Sequence, residues 1–104
     1  ERREELRGPG GDNIYPAESA AVLAQHPAVA EAAVGGEPDE EFGARPVAYW
    51  AAVPGAEETD LRAYCRSRLA GYKVPRRFAR VEALPRNSAG KLLRRELRGL
   101  TQEA

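Results

Sequence analysis

The 104 residues make one small domain, able to bury roughly two thirds of the surface its unfolded chain exposes, and leave little room for an enclosed active site. Lys plus Arg and Asp plus Glu both number 16, and that zero balance argues against a general nucleic-acid binder, which carries a basic excess. One cysteine, Cys65, excludes an internal disulfide, and no run approaches the ~18 apolar residues of a membrane span.

No signal peptide is visible, so a reducing, cytoplasmic compartment is the expectation. The sequence holds no Met, which predicts a processed chain or a piece of a longer one. Residues 1–7, "ERREELR", are charged and open abruptly. "GPGG" (8–11) suits neither helix interior nor strand and predicts a tight loop whose backbone can approach another surface. Pro16 suits the first turn of a helix over 16–25, with a weakly apolar face of Ala17, Ala20, Ala21 and Leu23 or Ala24, stopped by His26-Pro27. "AVAEAAV" (28–34) reads as a strand, "GGEPDEEFGARP" (35–46) as a loop and "VAYWAAV" (47–53) as a second strand, a hairpin with a long connection.

The clearest helix covers 58–69, where Leu61, Tyr64, Cys65 and Leu69 fall at i, i+3, i+4 and i+8. Thr59 or Asp60 caps it and Gly71 ends it. Residues 76–84 read as a third strand bearing Phe78, Val81 and Leu84. After a loop at 85–90 comes a last helix over 91–98, with Leu93, Leu97 and Leu100 as its stripe and Gly99 as its stop. The order predicts an α+β fold: a three-stranded sheet, helices packed against it, and a short N-terminal β-loop.

Chemistry is sparse. Residues 37–60 are acid-rich and 62–98 arginine-rich, so either the chain has two solvated faces of opposite sign or its C-terminal half meets an anion. "SAGK" is not a phosphate-binding P-loop, because Pro85 stands where the early Gly belongs and Leu92 where Ser or Thr belongs. No metal-ligand constellation exists; His26, the one histidine, reads as a helix-end residue and Cys65 as a small buried apolar group. Three features remain: Lys91 on a Gly-containing loop, the Gly-rich loop at 8–11, and "GYKVPRR" at 71–77, where Tyr72 stands beside Lys73, Arg76 and Arg77. An aromatic face flanked by cations can stack on a base and pair with phosphate; the plainer reading is a capped helix followed by a surface strand.

"GGDNIYPAE" (10–18), "LAGYKVPRRF" (69–78) and "LPRNSAGKLLRREL" (84–97) together resemble the C-terminal domain of adenylate-forming acyl-CoA synthetases, a superfamily that includes peptide-synthetase adenylation domains and luciferase. The resemblance covers residues 1–98, and "NIYP" points to acyl- or aryl-CoA synthetases. It implies a ligase that joins a carboxylic acid, among them the acids of fatty acid metabolism, to CoA at the expense of ATP, through an acyl-AMP. The implied cofactors are ATP, with Mg bound mainly by a large N-terminal domain, and CoA. The implied partners are that N-terminal domain, the acid and CoA, with no nucleic acid and no membrane span. The C-terminal domain then swings between two orientations, one for each half-reaction.

By resemblance Lys91 is the adenylation lysine, a point cation brought to the α-phosphate, and it is expected to be exposed. Gly10 and Gly11 would line the pantetheine tunnel, Tyr72 would lie against the CoA adenine, and Lys73 and Arg76 near its phosphates. Arg2 would approach the AMP ribose and Glu4 would sit at the hinge, making 1–7 a hinge-proximal segment, 8–100 the lid domain and 101–104 a tail. The chain departs from the family pattern at Arg7, Gly8 and Pro9, at Asp12, and at Glu18-Ser19-Ala20. Two other readings stand beside this one: an adenylation domain loading a carrier protein, and a non-enzymatic adaptor or RNA-binding module using the basic 62–98 face.

Overall fold

In the computed structural model, which describes residues 6–7, 13–39, 43–56 and 60–101, a short two-stranded piece opens the chain. Strand β1 (Leu6–Arg7) pairs antiparallel with β2 (Asn13–Ile14). Helix α1 (Pro16–Ala24) follows, then β3 (Val29–Asp39), β4 (Gly43–Ala52), helix α2 (Leu61–Arg66) and β5 (Arg77–Arg80). Strands β3, β4 and β5 form one sheet in that order, β3 antiparallel and β5 parallel to the central β4. The fold is the expected α+β type.

Strand alternation divides the core in two. Val34, Ala48, Trp50 and Phe78 face Leu23 of α1 and Leu61 and Cys65 of α2, with Leu69 and Val74 completing that layer. Ala33, Val47, Tyr49 and Ala79 face the other way, where Leu84, Leu92, Leu97 and Leu100 cover them. Helices therefore dress one face of the sheet and the C-terminal segment dresses the other.

Several expectations need correction. The loop expected at 35–46 is mostly strand, with the ladder running from Val29↔Ala52 out to Asp39↔Gly43. Glu37 accepts from Arg45 Nη2 at 2.7 Å and from Arg77 Nη2 at 2.6 Å, linking all three strands beyond the apolar stretch. Pro38 is tolerated because β3 is an edge strand. On α1 the buried positions are Pro16, Ser19 and Leu23, while Ala17, Ala21 and Ala24 are exposed. The buried Ser19 hydroxyl donates to the Lys73 carbonyl at 3.1 Å, which satisfies its polar group.

Asp60 caps α2, accepting from the Ala63 N–H at 3.0 Å; Thr59 lies outside the described residues. The helix stops at Arg66 with Ser67 as its C-cap, so Gly71 does not end it but opens a 3-10 turn, Gly71–Lys73. β5 is shorter than 76–84. The last helix is absent: Leu92 is drawn into an antiparallel bridge with Arg86, and only two 3-10 turns follow, Arg94–Glu96 and Arg98–Thr101. Gly99 lies inside the second of these turns rather than stopping a helix.

Candidate functional site

Lys91 stands on a turn that the chain builds from its own side chains. The Asn87 N–H donates to the Lys91 carbonyl at 3.0 Å, and the Gly90 N–H donates to the Asn87 carbonyl at 2.9 Å. Asn87 Oδ1 accepts from the N–H groups of Ala89 and Lys91, each at 3.0 Å, the local bonding that favours Asn in turns. Gly90 has φ of 85°, a conformation that glycine takes without steric cost. Leu92 and Leu97 seat the following segment against the sheet. The Lys91 side chain is exposed, as expected, and makes no ion pair among the described residues.

The turn is also tied to the sheet from outside. Arg86 reaches Glu31 Oε1 on β3 through Nε at 3.3 Å and Nη2 at 2.9 Å, while its Nη1 donates to the Gly90 carbonyl at 3.0 Å. Glu31 Oε2 accepts from the Leu84 N–H at 3.3 Å. The Arg86 guanidinium holds the Glu31 carboxyl below the usual carboxylate range, outweighing partial burial, which acts the other way.

The second candidate segment is pinned just as closely. Ser19 holds the Lys73 carbonyl, Arg62 donates to the carbonyls of Pro75 and Arg76 at 3.2 and 3.3 Å, and the Arg76 N–H donates to Pro46 at 2.8 Å. Between these ties Tyr72 stands out with 39% of its surface exposed. The Lys73 ammonium lies 3.0 Å from Glu18 Oε1 and 5.8 Å from the Tyr72 ring centre. The Glu18 carboxylate raises the lysine above its ordinary pKa. An open groove of about 210 Å³ runs alongside, lined by Arg62, Arg66, Gly71, Val74, Pro75 and Arg76. Three guanidiniums around one groove suit a phosphate-bearing ligand. Arg62 and Arg66 were not singled out from the sequence; the signal was their i, i+4 spacing, which puts both on one side of α2.

Lys91 is not gathered with Tyr72, Lys73 and Arg76. Leu92, beside Lys91, packs in the layer opposite the helices, whereas Val74, beside Lys73, packs in the helical layer. The two basic segments thus belong to opposite faces of the sheet and to opposite ends of β5. Arg2, Glu4, Gly10 and Gly11 lie outside the described residues. His26 is a helix-end residue: its Nδ1 accepts from the Ala28 N–H at 3.0 Å and its ring makes a T-shaped contact with Tyr64. Cys65 is buried, and burial pushes its thiol pKa up. Among the described residues no three His, Cys, Asp or Glu side chains gather as a metal site, and no helix is long and apolar enough to cross a membrane.

The profile of the AMP-binding enzyme C-terminal domain matches residues 18–91, which ends on Lys91. The chain is 53% identical over 102 residues to the 2-succinylbenzoate–CoA ligase of Geobacillus kaustophilus, covering 96% of this chain and 21% of that protein. Among solved structures, an o-succinylbenzoate CoA synthetase from Bacillus subtilis, a double mutant bound to the product analogue OSB-NCoA, superposes with a TM-score of 0.83 at 45% identity, over 94% of this chain and 20% of that one. A fatty acyl CoA synthetase of Mycobacterium tuberculosis gives a TM-score of 0.83 at 40% identity, over 93% and 19%. The chain therefore spans about a fifth of the length of these relatives. With the family profile running over residues 18–91 and the same fold recurring in the larger solved structures, the chain belongs to the AMP-binding enzyme C-terminal domain family.

Proposed function

We propose that this chain is the mobile C-terminal domain of an AMP-forming acid–CoA ligase whose acid is 2-succinylbenzoate. Identity of 53% to a ligase of that name supports the choice of acid over a fatty acid. The observation that carries the mechanism is an exposed lysine, without an ion pair among the described residues, on a turn fixed by Asn87, Gly90 and Arg86.

In the first half-reaction a substrate carboxylate oxygen attacks the α-phosphorus of ATP and pyrophosphate leaves. Negative charge grows on the phosphoryl oxygens. The Lys91 ammonium, delivered by the domain, donates hydrogen bonds to those oxygens and stabilises the transition state more than the ground state. Magnesium, which the larger domain would hold, would supply further charge neutralisation when bound. In the second half-reaction the CoA thiolate attacks the acyl carbonyl and AMP leaves. The opposite face of the domain then serves, with Tyr72 against the adenine and the Arg66–Arg76 groove near the CoA phosphates. Lys73 holds Glu18, so its part in phosphate binding is secondary to that of the arginines. Residues 1–7, including Arg2 and Glu4, would form the hinge-proximal entry, and Gly10 and Gly11 the tunnel loop.

The test uses the full-length protein with 2-succinylbenzoate, ATP and CoA. Lys91→Ala is expected to lower pyrophosphate release by about a hundredfold or more, the scale of losing one preorganised charge donor. Thioester formation from supplied acyl-adenylate should stay within about twofold. Equal loss of both half-reactions would refute the role assigned to Lys91. Replacing CoA with a phosphopantetheinyl carrier protein checks the acceptor.

A further inference from the structure

We infer that Arg86 and Glu31 are positioning residues for Lys91, a strut that fixes where the lysine turn stands relative to the sheet. The inference rests on the reading of Lys91 as the adenylation lysine.

One guanidinium performs two tasks. Two of its nitrogens grip Glu31 Oε1 on β3, and the third reaches the carbonyl of Gly90, the residue immediately before Lys91. Glu31 in turn accepts from the Leu84 N–H, so the same carboxylate also holds the chain as it enters the turn. The path from β3 to the backbone beside Lys91 thus crosses two side chains, Glu31 and Arg86. Asn87 fixes the turn internally but does not tie it to anything else. Without Arg86 the turn would keep its shape and lose its own tie to β3, while the segments on either side kept the Leu84 N–H bond to Glu31, the Arg94 bond to the Val34 carbonyl and the packing of Leu92 and Leu97.

Ordinary stabilisation does not account for the arrangement. The Arg86 and Glu31 side chains are 42% and 29% exposed, and pairs so open to water add little to stability. Position is a different matter, because a misplacement of ~1 Å at a reacting centre can cost about a hundredfold in rate. Arg86 is not placed to touch the phosphate; it acts through Lys91.

The experiment is done in the full-length protein with Arg86→Met, Arg86→Lys, Glu31→Gln, Lys91→Ala and the Arg86→Met/Lys91→Ala double variant. Arg86→Met and Glu31→Gln should lower kcat for pyrophosphate release by about tenfold to a hundredfold, with KM for ATP and acid within about twofold. Arg86→Lys, which can hold Glu31 or the Gly90 carbonyl but not both, should fall between them and the wild type. Thioester formation from supplied acyl-adenylate should be unchanged, which also certifies the fold. The double variant should be no slower than Lys91→Ala alone. If Arg86→Met adenylates at the wild-type rate while Lys91→Ala is crippled, the strut is refuted and the lysine's role stands. If both half-reactions of Arg86→Met fall together, the residue is merely structural and the inference again fails. Normal adenylation by Lys91→Ala would overturn the underlying reading instead.

Discussion

At the scale of single residues, the lysine turn depends on a backbone conformation rather than on contacts. A Cβ built on Gly90 meets nothing within 4 Å, so space is not what requires glycine there. Its φ of 85° is, because a left-handed conformation costs an L-residue about 1–2 kcal/mol. Gly90→Ala should therefore lower unfolding stability by about 1 kcal/mol, whereas Gly71→Ala, equally uncrowded but without positive φ, should be close to neutral. Urea denaturation of the two variants side by side checks this; equal effects would refute it. The sequence made Lys91 legible, since the residues around it repeat a family pattern. It did not make Arg86 legible, because the arginine's partners, Glu31 and the Gly90 carbonyl, are defined only once β3 is folded beside the turn. Ser19 was illegible for a related reason. A buried serine is costly until an acceptor is known, and the Lys73 carbonyl lies 54 positions away.

Among the elements, the core strands could be read from their apolar runs and α1 from Pro16 at its start, though not its buried face, and the remaining departures arose where charge or bridging replaced apolar spacing. The outer half of the β3–β4 ladder contains Gly35, Gly36 and Pro38, poor strand formers, yet Glu37 fastens it to Arg45 and Arg77. The expected last helix failed because Leu92 pairs with Arg86, and because Arg94 donates to the Val34 carbonyl on β3, bonds that hold the segment flat across the sheet. The same carboxylates give the sheet a pH dependence. Arg77 and then Arg45 hold Glu37 below its ordinary pKa, and Arg86 does so for Glu31. A folded-state pKa below the unfolded value stabilises the fold above the unfolded pKa, near ~4.3, and the gain disappears as pH falls through the folded value. Urea midpoints should thus be flat from neutral pH to about 5 and drop in the acid limb. Glu37→Gln should be less stable at neutral pH and should lose less on acidification; an acid limb as steep as the wild type's would overturn the assignment.

Across the whole molecule, the sheet separates two basic surfaces that the sequence presents within twenty residues of one another, from Tyr72 to Lys91. One surface grows from the helical layer, with Tyr72, Arg66 and Arg76; the other grows from the C-terminal layer, with Lys91. If the domain turns between orientations as proposed, it has reason to keep its two sets of groups on different faces, since each would have to withdraw while the other acted. That separation predicts independence. In the full-length protein, Tyr72→Ala should raise KM for CoA by about tenfold, the low end for losing a base-stacking ring, and leave pyrophosphate release unchanged. Lys91→Ala should do the converse. Because the two sites share no partners among the described residues, their effects on the two half-reactions should combine with a coupling energy below about 0.5 kcal/mol. The measurement is a double-mutant cycle on each half-reaction separately. Strong coupling, with Tyr72→Ala slowing adenylation or Lys91→Ala raising the CoA KM, would mean that both segments act in one orientation, and the division of labour between the two faces of the sheet would have to be abandoned.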